Sequence, residues 1–330
     1  MDWRGRLDWL FRRQKRAALY VHFPCFDGVV SAVIASRFLE KTYGWKFAAI
    51  EPVNYDLRET WLQTALPPRS VVLDFLYHPQ AEFWADHHLT AFLTPQLQAS
   101  FENKRSKNYL YDKQSRSCAA LLWDRVGASL GHEPLLEEMV KWADKIDSAM
   151  YASVQEALFD EAPALLISRS LAVDADSRYC EFLIKRLKHS SLQRTAGSEQ
   201  VQRRNGIAKE RSAAGLQRVR DAIRLDGATA VFETNGEGVL INRYLPYYFH
   251  PQAQYSIGVV HLEGSTKITT MRNPWLNFES PNLGKFMEKF GGGGHQRVGS
   301  VILENSRRDL SPQIVSALLQ LENSEPSLKV

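Results

Sequence analysis

Residues 17–21 (AALYV) and 70–75 (SVVLDF) are compact aliphatic and β-branched runs, the pattern of short strands buried on both faces. Between them, residues 28–41 (GVVSAVIASRFLEK) repeat apolar positions at helical spacing. Strand, loop, helix and strand again is the rhythm of an α/β sheet whose faces are covered. Residues 81–86 (AEFWAD) read as a further strand, and residues 117–126 and 135–143 as helices. Ser115 or Ser117 is placed to cap the first of these.

The pattern changes near Arg186. Residues 189–224 are rich in Gln, Arg, Ser and Ala and poor in large aliphatics, as expected of a long, polar connecting helix. Beyond it, residues 228–232, 238–241, 255–262, 267–271 and 298–303 are strand-like, and 283–290 helical. The predicted fold is α/β: a parallel-sheet N-terminal domain with helices on both faces, linked by a long helix to a smaller α+β domain. The predicted spans are 1–188, a helical linker at 189–226, and 227–330.

A chain of 330 residues with 44% hydrophobic content can bury two ordinary cores. Its 41 Lys and Arg against 37 Asp and Glu leave a net charge of +4, too small to announce non-specific DNA binding, so any basic site must be local. Residues 1–16 interleave Trp, Leu and Phe with Arg and Lys and lack the continuous apolar core of a secretory signal; they read as an amphipathic helix packed on its own domain. No run is long enough to span a bilayer, and the three cysteines, Cys25, Cys118 and Cys180, have no paired spacing. A cytoplasmic protein without a membrane partner is expected, with a homodimer left open.

Candidate chemistry gathers where the predicted strands end. His22 and Asp27 follow the first, Asp74 closes the second, Asp86-His87-His88 closes the third, and Asp144 and Asp147 stand three apart near a helix end. Ligands collect at the carboxyl ends of parallel strands. A carboxylate ending a buried strand needs a cation or several hydrogen bonds. Carboxylates with one or two imidazoles form a hard donor set that leans towards Mn(II), one or two ions, with Mg as the alternative. Taken alone, Asp27 is equally an N-cap for the helix that follows it. Cys25 is open to three readings: soft ligand, packed thiol or spacer. Of Asp144 and Asp147, one is open to a purely structural role as a cap or a partner of Lys145. Later, Gly291 to Gly294 lead into His295 and Arg297. Consecutive glycines expose backbone N–H groups and suit close approach of a phosphate, so Gly292, Gly293, Gly294, His295 and Arg297, with Arg272 at the end of the strand-like 267–271, are candidate substrate ligands.

Taken in order, His22, Asp27, Asp74, Asp86-His87-His88, Asp147 and the GGGGH segment resemble the Asp-His-His (DHH) phosphoesterase superfamily with its C-terminal substrate-binding domain, over about residues 17–305. That superfamily includes RecJ-type exonucleases, nano-RNases and cyclic-dinucleotide phosphodiesterases. The resemblance implies a hydrolase acting at phosphorus through metal-activated water, with a nucleotide or short oligonucleotide as substrate. It implies His22 as ligand of a first ion, Asp27 of a second, Asp74 between them, and His87 and Asp147 completing the second. His88 would face the phosphate, and Asp86 would orient the histidines. The chain departs from the family pattern at Cys25, where an Asp is usual, and at Val298-Gly299-Ser300, where Ala-Ala-Gly is usual. The rival reading is a degenerate member that binds nucleotide without turnover. A third is a single-strand exonuclease whose Tyr247, Tyr248 and Trp275 stack bases; core packing is the favoured role for these rings.

Overall fold

A computed structural model describes residues 15–104 and 106–323. The chain divides into two compact units, one within Met1–Ser148 and Ala162–Gln202, the other within Ala149–Glu161 and Arg203–Val330. The excursion at 149–161 belongs to the second unit because Tyr151, Val154, Ala157 and Leu158 pack in its apolar cluster. The predicted spans 1–188, 189–226 and 227–330 have no place for that excursion. Of the helix expected over 1–16, residues 1–14 lie outside the described residues, and Lys15 and Arg16 already belong to the first strand.

The first unit holds a five-stranded, all-parallel sheet of β1 (Lys15–His22), β2 (Trp45–Val53), β3 (Ser70–Leu73), β4 (Phe83–Asp86) and β5 (Tyr109–Tyr111), in the order β2-β1-β3-β4-β5. Alternation along each strand builds two cores. Leu19, Val21, Val71, Leu73, Phe83 and Ala85 face α1 (Phe26–Tyr43) and, later in the chain, Cys118–Leu130 and Pro134–Asp147. Tyr20, Val72 and Trp84 face the other way, into Trp61, Phe75, Tyr77 and Phe101, the last from α2 (Pro95–Lys104). Trp84 and Trp61 are fully buried yet satisfied: their indole N–H groups donate to the carbonyls of Phe75 at 2.9 Å and Leu76 at 3.0 Å. Sequence expectation and structure agree here, since a strand hydrophobic on both faces must be covered on both.

The helices Cys118–Leu130 (α3) and Pro134–Asp147 (α4) end the part of the unit that frames the site. After α5 (Val154–Phe159) in the second unit, the chain adds α6 (Pro163–Leu171), α7 (Ser177–Leu187) and α8 (Leu192–Ala196) to the first. The expected continuous helix over 189–224 is broken. It consists of α8 and α9 (Glu199–Ala222), interrupted at Gly197 and Ser198.

The second unit holds a six-stranded mixed sheet, β6 (Arg224–Asp226), β7 (Thr229–Asn235), β8 (Tyr255–Leu262), β9 (Ser265–Arg272), β10 (Gly293–His295) and β11 (Val298–Glu304), in the order β10-β11-β9-β8-β7-β6 with only β7 and β8 parallel. One face packs Val231, Ile257, Val259, Ile268, Val301 and Leu303 against Met287 of α11 (Leu283–Glu288) and Ile314 and Leu318 of α12 (Ser311–Asn323); the short α10 (Leu245–Phe249) lies on the other. Residues 238–241, expected as a strand, are a turn and irregular backbone instead. Their apolar run packs on α9, where a Cβ at Gly215 would stand 2.1 Å from the Leu240 carbonyl oxygen. No helix among the described residues is long and apolar enough to cross a membrane.

Candidate metal centre

Three adjacent parallel strands end together in the first unit. His22 is the last residue of β1, Asp74 follows β3, and Asp86 is the last residue of β4 with His87 and His88 directly after it. Asp27 comes from the first turn of α1 and Asp147 from the last residue of α4. These seven residues, spread over more than a hundred positions of sequence, converge. His22 Nδ1 lies 3.3 Å from Asp74 Oδ2. His87 Nε2 lies 3.4 Å from Asp147 Oδ2 and 3.8 Å from both Asp27 Oδ2 and Asp74 Oδ1. Asp74 is thus the residue shared between the His22 side and the His87 side.

The backbone is bent to achieve this. Asp74 has φ of 55°, in the left-handed region that residues other than glycine seldom occupy, although Asp tolerates it better than most. Such conformations persist where the surroundings over-determine them. Gly28 answers a different need. It sits inside α1, and its requirement is room: a Cβ there would stand 2.2 Å from the His22 carbonyl oxygen. Asp27 does not cap its own helix. Its Oδ2 accepts from Cys118 N at 2.7 Å and its Oδ1 from Ala119 N at 2.8 Å, so it receives the first turn of α3.

Each histidine is aimed by its other nitrogen. The Nδ1 of His87 is 3.1 Å from the Ser115 carbonyl, which can only accept, so Nδ1 carries the proton there and Nε2 faces the carboxylates. Asp86 Oδ1 accepts from the backbone N–H of His87 at 2.8 Å and lies 2.7 Å from His88 Nδ1. Adjacent histidines on a strand would point to opposite faces. Here the strand ends at Asp86, and the two rings, 4.5 Å apart, both border Asp74 Oδ1. Asp144 serves structure: it accepts from the Ser117 hydroxyl, and Ser117 in turn caps α3 by accepting from Ala120 N at 3.0 Å.

Buried carboxylates dominate the electrostatics of the cluster. Asp27, Asp74 and Asp86 are almost fully buried, and among the described residues their ion pairs are to histidine rings, none to Lys or Arg. Asp74 Oδ1 is buried without any hydrogen-bond donor. Burial, then the neighbouring Asp147 carboxylate, pushes Asp27 up to about 6; burial raises Asp86 to about 7 and, with Asp27 beside it, holds Asp74 well above the usual carboxylate range. Burial opposes the charging of His87, but the carboxylates of Asp147, Asp27, Asp74 and Asp86 outweigh it and lift that ring to about 9. Burial and the adjacent His87 hold His88 well below the usual histidine range. Buried carboxylates this crowded are stable when neutralised, and the oxygen and imidazole donors fit hard divalent ions.

Within the first unit, donor atoms fall into three tight groups, each within 4.8 Å: His22, Cys25 and Asp74; Asp27, His87 and Asp147; Asp74, Asp86 and His88. Two residues here had no clear sequence signal. Ser115 contributes only a carbonyl, which no residue type announces. Tyr55, from a turn after β2, brings its ring 5.2 Å from His22 and 6.0 Å from His88, with its buried hydroxyl lacking a hydrogen-bond partner among the described residues.

The remaining candidates lie in the second unit. Arg272 is buried at the end of β9, donates to the Phe278 carbonyl and stacks 4.2 Å over the Phe278 ring; burial and the nearby Arg297 lower its pKa. The glycines are used for packing. The N–H of Gly292 donates to the Met287 carbonyl at 3.0 Å, and Gly293, Gly294 and His295 pair with Ser300, Gly299 and Val298 as a strand. A Cβ at Gly292 would meet the Ser300 carbonyl oxygen at 2.2 Å, and Gly294 has φ of 144°. The expected row of exposed amides is therefore partly consumed by the fold. Of the aromatic candidates, Tyr247 is core, with its hydroxyl donating to Ser256 Oγ at 3.0 Å, and Trp275 donates to the Tyr151 carbonyl at 2.9 Å; Tyr248 is exposed.

Comparison with solved structures finds this fold in two proteins. The chain is similar to the pGpG-specific phosphodiesterase PggH from Vibrio cholerae, with a TM-score of 0.65 and 19% identity over 92% of this chain and 99% of that one. It is also similar to RecJ from Thermus thermophilus, solved in complex with Mn2+, with a TM-score of 0.53 and 14% identity over 96% of this chain and 53% of that one. No protein-family model matches the chain, and no curated protein matches it in sequence.

Proposed function

We propose that this chain is a metal-dependent phosphoesterase that hydrolyses phosphoester bonds of nucleotides or short oligonucleotides. The observation that carries this reading is the meeting of Asp27, Asp74, His87 and Asp147 around His87 Nε2, with His22 on the far side of Asp74 and no Lys or Arg pairing with Asp27, Asp74 or Asp86 among the described residues. Asp27, His87 and Asp147 would hold one divalent ion, His22 and Asp74 a second, with Mn(II) or Mg(II) fitting the oxygen-rich donors. When bound, such ions supply Lewis-acid polarisation of a phosphoryl oxygen and make water a competent nucleophile at neutral pH.

The side chains supply the rest. Asp86 fixes the His88 ring through Nδ1, so Nε2 is the nitrogen that can face a phosphate oxygen. His88 is neutral near pH 7, and an anionic phosphate beside Nε2 would raise its proton affinity, with Asp86 stabilising the imidazolium so formed. The Ser115 carbonyl keeps His87 Nε2 turned to the carboxylates. The similarity in fold to a pGpG-specific phosphodiesterase over nearly its whole length favours a short substrate, as does the modest net charge. Arg272, Gly292, Gly293, Gly294, His295 and Arg297 are the proposed contacts to substrate, and three free cysteines favour a reducing compartment such as the cytoplasm.

The test is turnover of a panel of linear dinucleotides, model phosphodiesters and adenosine bisphosphate by the purified protein with Mn(II), beside Asp27→Asn and Asp74→Ala. Hydrolysis by the parent chain and none by the variants is expected. Tight nucleotide binding without turnover of any compound would replace this reading with that of a nucleotide sensor.

A further inference from the structure

Cys25 stands where a helix N-cap stands, with extended backbone at φ −138° and ψ 134°, yet its side chain makes no capping hydrogen bond. It is also unlike the other two cysteines. Cys118 and Cys180 are wholly buried, and Cys118 Sγ donates to the Ala85 carbonyl at 3.2 Å, which makes them packed thiols of the core. Cys25 is half-buried, and its sulfur lies within 4.8 Å of a donor atom of His22 and of Asp74. Asp74 is itself almost fully buried: its Oδ2 lies 3.3 Å from His22 Nδ1, and its Oδ1 has no hydrogen-bond donor among the described residues.

We propose that Cys25 Sγ is a protein ligand of the ion held by His22 and Asp74, making that position softer than the one formed by Asp27, His87 and Asp147. The inference rests on the reading of the cluster as a divalent metal centre. One position offers nitrogen, sulfur and oxygen; the other offers nitrogen and two carboxylates. Thiolate favours Fe(II), Co(II) and Zn(II) over Mn(II), whereas carboxylates favour Mn(II) and Mg(II). The centre is therefore asymmetric and sorts two different ions between its halves. Binding breaks the S–H bond, forms the sulfur–metal bond and releases the thiol proton to solvent.

The test adds Co(II) to the metal-stripped full-length protein and follows the near-ultraviolet thiolate-to-cobalt charge-transfer absorption. The band appears in the parent protein and in Cys118→Ser and Cys180→Ser. It is lost in Cys25→Ser, where the affinity of one of two Co(II) positions falls by more than about tenfold, the scale on which even outer partners of a metal act. Cys25→Asp restores two-ion binding without the sulfur band and turns that position towards Mn(II). On the unmutated chain, bound Co(II) slows alkylation of Cys25 by iodoacetamide, a readout that does not depend on any variant folding. Two bound Co(II) ions with no sulfur band, a band that survives in Cys25→Ser, or alkylation of Cys25 unaffected by bound metal overturns the assignment and leaves the metal centre standing. A chain that binds no divalent ion overturns both.

Discussion

Asp86 and His88 are held face to face: Oδ1 of the aspartate lies 2.7 Å from Nδ1 of the ring, and the same oxygen accepts the His87 backbone N–H at 2.8 Å. One buried carboxylate therefore sets the direction of the His88 imidazole and holds the backbone of His87, without itself standing in the group formed by Asp27, His87 and Asp147. Asp86→Asn keeps the shape but weakens the acceptor. It is expected to lower kcat by about 10- to 100-fold, the range typical of residues that orient metal-site histidines. Metal content by mass spectrometry should stay near that of the parent; loss of all metal would mean that Asp86 is itself a ligand.

Asp144 and Asp147, three residues apart on α4, are predicted to separate by phenotype. Asp144 accepts from the capping hydroxyl of Ser117, so Asp144→Ala weakens the start of α3 by about 1 kcal/mol and leaves metal affinity largely intact. Asp147→Ala removes the carboxylate 3.4 Å from His87 Nε2 and lowers divalent-ion affinity more than about tenfold. Urea unfolding and isothermal titration on both variants check the pair. Equal metal affinities in the two would contradict the assignment.

The metal-stripped protein is predicted to lose stability as pH rises. Asp27 and Asp86, raised from 3.8 to about 6 and about 7, bind their protons more tightly folded than unfolded, so stability falls with increasing pH across the interval from about 4 to about 7. His87, raised from 6.5 to about 9, adds stability that is complete below its unfolded value and lost as pH passes about 9. The three shifts act in one direction; burial lowers His22 and His88, which oppose them as pH rises towards 6.5, so the loss is clearest above that value. Saturating Mn(II) should reverse the trend between about pH 6 and pH 9, because the ion binds the deprotonated donors. Melting temperatures with chelator and with Mn(II) across that range measure it.

Gly28→Ala is expected to destabilise the first unit by about 1–3 kcal/mol, since a methyl group cannot fit 2.2 Å from the His22 carbonyl without moving the strand end that carries His22. Both melting temperature and Mn(II) affinity should drop. A variant with unchanged melting behaviour would show that α1 can shift freely.

Gly292→Ala tests whether the glycine run is built for the fold. A Cβ would meet the Ser300 carbonyl oxygen at 2.2 Å, so destabilisation of about 1–3 kcal/mol is expected in the absence of any nucleotide. Denaturation of the ligand-free variant checks this. Parent-like stability with weakened nucleotide binding would assign the residue to substrate alone.

The amino-acid sequence by itself determined three strands of the parallel sheet, β1, β3 and β4, and the residue types gathered at their ends, while β2 and β5 were not legible in it. Leu19, Val72 and Trp84 lie in short apolar runs, and such runs leave a strand no solvent face, so coverage on both sides followed from composition and periodicity. The order from His22 to Asp147 was likewise legible, because carboxylates and histidines after apolar runs are costly unless their charge is used. Tertiary structure alone decided the rest. Whether Asp27 capped its own helix or another depended on where α3 began, and Ser115 entered only through a backbone carbonyl that every residue possesses. The glycine run read as open amides because sequence does not reveal which N–H groups a neighbouring strand and helix will claim. Local pattern fixes which groups must be buried or turned; only the packing of distant segments fixes what they meet.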